Sequence, residues 1–232
     1  MAHTLYQWQT ECIEGWFTHQ GRGVVQVVTG AGKTILALHA ALALQHRLAE
    51  DLHIVIVVPK KFMLNQWKNT ILSELPIRRD EIGFVGGGYS DKHQYKVMLY
   101  VVNSARSRLS LPLYNHLMND KPLLLIADEC HHYTSEENRK IFAFLDALPN
   151  EKKENYSCLG LSATPKKGEL EKYLGPLFYS YSFTEAIAHN VINRVAIFNV
   201  GLRLDAKQAQ EYEALSAKIT RTVGVFYLQN PG

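Results

Sequence analysis

Lys33 and Thr34 follow directly on Thr29-Gly30-Ala31-Gly32, and far along the chain Asp128 stands beside Glu129. Each group of residues has a chemistry. A lysine in that place can reach the outer phosphates of a nucleotide, and the threonine hydroxyl next to it can ligate Mg²⁺. Of two adjacent carboxylates, one can hold the metal while the other orients or deprotonates a water. Gly30 and Gly32 let the backbone curl so that successive N–H groups face one anion, and a helix starting at Lys33 would add its positive end. The strict pattern G-x-x-x-x-G-K-[ST] would place glycine where Val27 stands, so the match is to the shorter form T-G-x-G-K-T. The bland alternatives are a Gly-rich turn with a solvated lysine and a pair of acids capping a helix. Having both groups in one chain argues against both alternatives.

Such residues work only if a scaffold brings them together, and the hydrophobic pattern supplies one. Residues 24–28 form a β-branched run, and residues 35–48 an apolar helical run behind the loop. Residues 54–58 are a second strand, ended by Pro59 and followed by a helix over 60–75 with Phe62, Leu64, Trp67, Ile71, Leu72 and Leu75. A short strand at 81–85 runs into Gly86-Gly87-Gly88. Another at 97–102 runs into Asn103 and Ser104, with Arg106 and Arg108 close behind. After a helix at 111–118, residues 123–127 are fully apolar and end in the acidic pair. A helix is expected over 136–148, a solvated turn over 150–155 and a strand over 158–161 closed by Ser162-Ala163-Thr164-Pro165. Strands at 179–183 and 195–200 flank a short helix at 185–189. A last helix over 205–223 carries Asp205 and Gln208 in capping-box positions. Before all of this, residues 5–17 carry Leu5, Trp8, Cys12, Ile13, Trp16 and Phe17 at helical spacing. Gln7 and Gln9 beside them read, by periodicity alone, as helix surface.

Strands alternating with helices predict an α/β fold, a mostly parallel sheet flanked by helices on both faces. In such sheets the site lies at the carboxyl ends of the strands, which is where each unusual polar group falls.

Composition sets outer bounds. The chain has 232 residues, 47% hydrophobic and 20% charged, enough for one large domain with a short extension. A net charge of +3 does not by itself mark a polyanion binder, so any such surface must come from local clustering. Cys12, Cys130 and Cys158 are odd in number and widely spaced, which favours a reducing compartment over a disulfide framework. Cytoplasmic residence is therefore expected, or nuclear in a eukaryote, without secretion. The longest apolar run, 35–44, is broken by His39 and is too short to span a bilayer, so no membrane association is expected. Cys130, His131 and His132 are adjacent, and three neighbours in one turn cannot converge on one metal.

Taken together, residues 29–34, Asp128-Glu129-Cys130-His131 and Ser162-Ala163-Thr164 resemble motifs I, II and III of superfamily-two helicases and translocases of the DExH kind, in order and spacing. Leu5-Tyr6-Gln7-Trp8-Gln9 with Glu11 and Ile13 resembles the family's Q-motif helix, Pro59 with Leu64, Gln66 and Trp67 resembles motif Ia, and Gly86 to Gly88 resembles the glycine motif of the XPB-like and restriction-translocase branches. The segment 174–192 is similar to the stretch just after motif III in those branches.

The resemblance implies a RecA-like P-loop NTPase domain over residues 1–204 that uses ATP and Mg²⁺. Residues 205–232 then become a helical extension that starts a connection to a second RecA-like domain. It implies catalytic roles for Lys33, Asp128, Glu129 and His131, and nucleotide contacts from Gln9, Thr29, Gly30, Ala31, Gly32, Lys33, Thr34 and Asp128, with Thr34 and Asp128 on the metal. Ser162 and Thr164 would couple nucleotide state to movement. Pro59, Lys60, Lys61, Gln66, Gly87, Gly88, Ser104 and Arg106 would lie along nucleic acid, DNA before RNA, with Lys166 and Lys167 nearby.

Two departures bear on this. Where the family has a Thr-aromatic-Gln-Ser stretch, this chain has Asn103-Ser104-Ala105-Arg106, and motifs IV to VI do not occur up to Gly232. The expected function is the ATP-binding first motor domain of a nucleic-acid-dependent helicase or translocase. The alternative is a module that binds ATP and nucleic acid without turnover. A small P-loop kinase is disfavoured, because it would leave Gln9 and the Ser162-Ala163-Thr164 segment without a role.

Overall fold

The computed structural model describes residues 4–49, 51–165, 168, 170–194, 201 and 203–229. The chain divides into two compact units, Met1–Asn193 and Arg194–Gly232. The first unit runs α1 (Gln7–Thr18), β1 (Arg22–Val27), α2 (Lys33–Gln45), β2 (His53–Val58), α3 (Lys61–Glu74), β3 (Ile82–Gly86), β4 (Tyr89–Ser90) and β5 (Val97–Val101). It continues through α4 (Val102–Arg108), α5 (Ser110–Met118), β6 (Leu123–Asp128), α6 (Glu136–Arg139), α7 (Ala143–Ala147) and β7 (Tyr156–Ser162). It closes with α8 (Glu171–Leu174), β8 (Leu177–Tyr181) and α9 (Phe183–Ala188). The second unit contains α10 (Ala206–Gln229).

Eight strands form one sheet in the order β4-β3-β5-β2-β6-β7-β1-β8. Only the β3–β4 hairpin is antiparallel. β2 and β6 are buried along their whole length because both sheet faces are covered, which is why they read as unbroken apolar runs rather than alternating ones. One core joins Trp16, Leu36, Leu64 and Trp67 of α1 to α3 to one face, and the other joins Leu113, Leu117, Phe142 and Phe144 to the opposite face. The expected fold class is the one observed.

Several elements depart from expectation. Residues 136–148 do not form one helix: α6 gives way to a 3₁₀ turn at Lys140–Phe142 before α7. Bending there lets Ile141, Phe142, Phe144 and Leu145 all reach the core, more than one straight helical face would bury. Val102 to Arg108, whose polar residues looked like a strand end, is helical, with Val102 and Ala105 turned inward. Phe183 opens α9 rather than closing β8, since the Ser182 side chain caps the helix by accepting from Glu185 N. The expected capping box of the last helix is present, Gln208 N donating to Asp205 Oδ1 at 2.8 Å and Asp205 N to Gln208 Oε1 at 3.1 Å. The strand expected at 195–200 lies outside the described residues, as do Lys166 and Lys167. Among the described residues no helix is long and apolar enough to cross a membrane.

At the amino-terminal edge of the sheet sits a group of histidines with a stability consequence. Burial, reinforced by neighbouring imidazoles, lowers the pKa of His53 to about 3 and that of His93 to about 4. Unfolding frees both to protonate near 6.5, so their neutral burial costs nothing above that pH. Stability should fall as the pH drops from 6.5 toward 4, by on the order of 2 kcal/mol for a mostly buried imidazole. Urea titrations between pH 7.5 and 4.5 check this, and His93→Gln should flatten the profile.

Candidate nucleotide site

The carboxyl ends of β6, β7 and β1 lie side by side, because β7 pairs with both of its neighbours. That arrangement brings Asp128, Ser162 and the loop after Val27 onto one rim. Gly30 and Gly32 take φ of 87° and 99°, a region that favours glycine. A side chain at Gly32 would also meet Gln9 Nε2 at 2.9 Å and have to displace it. Lys33 opens α2 with its side chain largely buried, and its Nζ donates to the Val27 carbonyl at 3.2 Å. The same Nζ lies 3.8 Å from Glu129 Oε1. The lysine of the loop and the second acid thus meet across the rim although 95 positions separate them in sequence (129 less 33, less one for the ends).

Asp128 is buried, and both its oxygens are engaged. Trp67 Nε1 donates to Oδ2 at 2.8 Å, and Glu129 N donates to Oδ1 at 3.0 Å. Burial raises its pKa, and the Glu129 charge adds to this, while the hydrogen bond from Trp67, that from Glu129 N and the Lys33 charge lower it. A carboxylate that is costly to ionise and retains free lone pairs suits a cation. Glu129 has φ 47° and ψ 52°, strained for a residue with a side chain, and this turns its carboxylate toward Lys33 instead of continuing along the strand. His131 Nδ1 is 2.8 Å from Ser162 Oγ and 3.5 Å from Glu129 Oε2. Ser162 Oγ also accepts from Thr164 N at 3.0 Å, so the third motif touches the second through one hydroxyl.

Gln9 is not on the helix surface. It is buried, its Nε2 donating to Gly32 O at 3.1 Å and its Oε1 accepting from Tyr6 N at 2.9 Å. One N–H and one oxygen lone pair remain unused by these two bonds. Gln7 is the exposed glutamine, paired with Glu11.

The residues expected along a polyanion divide into two groups. Lys60, Lys61 and Gln66 are exposed on the start of α3, with Pro59 half-buried before them. Gly86, Gly87 and Gly88 all have positive φ, and an added Cβ would strike Ser104 Oγ at 2.7 Å from Gly86 and Lys61 Cγ at 2.6 Å from Gly87. The glycine loop is therefore packed against two of the other candidates. Arg106 is tied inward instead, its Nε donating to Asn138 Oδ1 at 2.7 Å, and Arg108 reaches Ser90 Oγ.

Two residues that contact Asp128 are not among the expected site residues, although Trp67 lies within the segment resembling motif Ia. Trp67 reads as a core residue of an amphipathic helix, and the unmet hydrogen-bond need of a buried indole is the available signal. Tyr133 is fully buried with its hydroxyl 2.8 Å from both the Val57 and Asp128 carbonyl oxygens, joining the ends of β2 and β6. Nothing in its spacing points there.

Residues 2–167 match the family model described as type III restriction enzyme, res subunit. The chain belongs to that family. It is also 31% identical over 220 residues to the DNA 3'-5' translocase XPB2 of Sulfurisphaera tokodaii, covering 93% of this chain and 44% of that protein. The chain thus spans less than half the length of this relative. Many solved structures share the fold, two of them as follows. One is the Hef helicase domain of Pyrococcus furiosus, with TM-score 0.55 and 17% identity, covering 75% of this chain and 37% of that one. The other is the Sulfolobus solfataricus SWI2/SNF2 ATPase core in complex with double-stranded DNA, with TM-score 0.53 and 15% identity, covering 81% and 39%. The chain is a superfamily-two helicase and translocase homologue of RecA-like fold.

Proposed function

We propose that residues 1–204 are the ATP-binding first motor domain of a DNA-dependent helicase or translocase, with 205–232 leading toward a second RecA-like domain in the same or another chain. The observation that carries this is the approach of Lys33 Nζ to Glu129 Oε1 beside the Trp67-bound Asp128 carboxylate. In this reading the loop amides of Thr29 to Thr34 and the Lys33 ammonium hold the phosphates, displacing Lys33 from Val27 and Glu129. Thr34 and Asp128 hold Mg²⁺, which when bound neutralises phosphate charge. Glu129, freed from Lys33, orients the attacking water and takes its proton. His131 and Ser162 relay the position of Glu129 to Thr164, which supports a coupling role for both motif III residues. The name of the archaeal relative favours DNA over RNA.

The spare donor and acceptor of Gln9 match the adenine edge, which guanine cannot reproduce. Calorimetry should therefore find ATP displacing a fluorescent ATP analogue at least tenfold better than GTP does, and Lys33→Ala weakening ATP at least tenfold. Unchanged affinity in Lys33→Ala would defeat the site assignment, while equal displacement by GTP would defeat only the role of Gln9.

DNA is proposed to run along Lys60, Lys61, Gln66, the glycine loop and Ser104. Contacts made to phosphates carry no sequence information and release counterions. Replacing Lys60 and Lys61 by glutamine should lower duplex affinity about tenfold near 0.1 M salt and reduce the salt slope by about two. Arg106→Gln should change the slope less, because Arg106 is committed to Asn138. Equal slopes in the lysine pair variant and the parent would remove this surface from the proposal.

A further inference from the structure

At the amino-terminal edge of the sheet, opposite the nucleotide rim, an open cavity of about 780 Å³ is lined by His53, His93, His116, Asp80, Glu81 and Lys96, among others. His53 begins β2, His116 lies on α5 and His93 lies in the loop between β4 and β5. None of them has a part in the nucleotide or nucleic-acid chemistry. His53 Nε2 and His93 Nε2 stand 2.8 Å apart, and their rings are nearly perpendicular, at 73°. His116 lies beside His53, ring centroids 4.8 Å apart, with its own Nε2 turned to the Pro122 carbonyl at 3.1 Å.

We propose that the facing Nε2 atoms of His53 and His93 form a binding site for a first-row cation of tetragonal preference, Ni²⁺ or Cu²⁺, whose remaining positions open onto water in the cavity. The separation of the two nitrogens selects the geometry. With bonds of about 2.0–2.1 Å, two nitrogens on one ion are about 2.9 Å apart at a right angle and about 3.3 Å apart in a tetrahedron. The observed 2.8 Å, spanned here by a hydrogen bond, is nearer the right-angled pair, so a tetragonal ion enters with less side-chain movement than tetrahedral Zn²⁺. Ring placement agrees. Nitrogens pointing straight at one another would put the centroids about 5.1 Å apart, and a right-angled pair on one ion about 4.4 Å apart. They are 4.6 Å apart.

The outer groups also suit ligation. A metal-bound histidine is held through its other ring nitrogen, which fixes the tautomer. His93 Nδ1 is 2.9 Å from the Tyr100 hydroxyl, which can accept from it, and His53 is hydrogen-bonded to the backbone of Tyr95 and Lys96. Occupation needs only that the shared Nε2 proton move to His93 Nδ1 and the Tyr100 hydroxyl turn from donor to acceptor, with no net loss of a proton. Among the described residues no three His, Cys, Asp or Glu side chains are grouped as a metal site, so the protein contributes two ligands and the ion keeps its waters.

The test uses the 232-residue chain at pH 7 carrying His3→Gln, which stands as wild type for every comparison, because a free amino terminus with the His3 imidazole at the third position binds Cu²⁺ and Ni²⁺ by itself. One equivalent of Cu²⁺ should give an electron paramagnetic resonance spectrum with splitting from two equatorial nitrogens, and Ni²⁺ should titrate calorimetrically to one site. His93→Gln should weaken Ni²⁺ binding at least tenfold and reduce the Cu²⁺ splitting to one nitrogen. Tyr100→Phe, which leaves both ligands but removes the group that fixes His93, should weaken binding about tenfold. Exposed His46→Gln should change nothing. Binding of equal strength in wild type, His93→Gln and Tyr100→Phe means an adventitious ion only and overturns the proposal, as does a spectrum without two nitrogens. If circular dichroism finds His93→Gln unfolded, Tyr100→Phe against His46→Gln decides the matter.

Discussion

Purified residues 1–232 are expected to bind Mg·ATP and to hydrolyse it about 10³–10⁵-fold more slowly than a protein in which a second RecA-like domain adds its arginine. Charge that develops on the transferred phosphoryl group exists only in the transition state, so the arginine matters little for binding and much for turnover. In the proposed reading the described rim serves one face of the nucleotide: Lys33 and the loop amides for phosphate, Thr34 and Asp128 for the metal, Glu129 for water. A single-turnover assay with and without duplex DNA checks this. Turnover well above background in the isolated chain, lost in Glu129→Gln, would mean that this rim is catalytically complete. In a two-domain form, Glu129→Gln should cut hydrolysis about 10²–10⁴-fold while ATP still binds, since only proton transfer from the water is removed.

Trp67→Phe should destabilise the protein by about 1.5–3 kcal/mol, because a hydrogen bond to a buried carboxylate is lost while most of the ring packing is kept. The pH dependence separates that bond from packing. Trp67 lowers the pKa of Asp128 against the stronger, raising effect of burial. Its contribution exists where Asp128 is ionised, so the cost of the variant should be full at pH 8 and shrink as the pH falls through the raised pKa of the carboxyl group. For the wild type, net raising means that the ionisation of Asp128 weakens the fold as the pH rises above the ordinary carboxyl value. A cation held by Asp128 relieves that cost. Mg²⁺ with ADP should therefore raise the melting temperature more in Trp67→Phe, where that cost is larger, than in wild type. Denaturation curves at pH 5 and pH 8 that show the same loss would reduce Trp67 to a packing residue. Since α3 also carries Lys61 and Gln66 on its exposed side, Trp67 joins the helix of the proposed DNA surface directly to Asp128.

Much of this was legible in the residues. Unbroken apolar strands at β2 and β6, a helix behind Gly32-Lys33-Thr34 and an acidic pair ending β6 specify a parallel sheet with a phosphate loop, because burial on both faces and glycine's access to positive φ leave strong local marks. Asp205 and Gln208 likewise determine their cap locally. Other features depend on partners distant in sequence, and only the tertiary structure decided them. Gln9 looked like helix surface by periodicity until the Gly32 carbonyl and Tyr6 amide surrounded it. Trp67 reads as core by its spacing, and its indole N–H meets Asp128, as does the hydroxyl of Tyr133, which no pattern marks. Arg106 looked like a free cation until Asn138 took it up. Residues 136–148 carry a helical pattern, yet the chain bends so that four apolar side chains reach one core. His53, His93 and His116 are separated by 39 and 22 intervening residues (93 less 53 and 116 less 93, each less one), so no spacing rule relates them. A side chain's periodicity reports which face it occupies, while its hydrogen-bond partner is chosen by strand order, and strand order is not written in any local stretch of the chain.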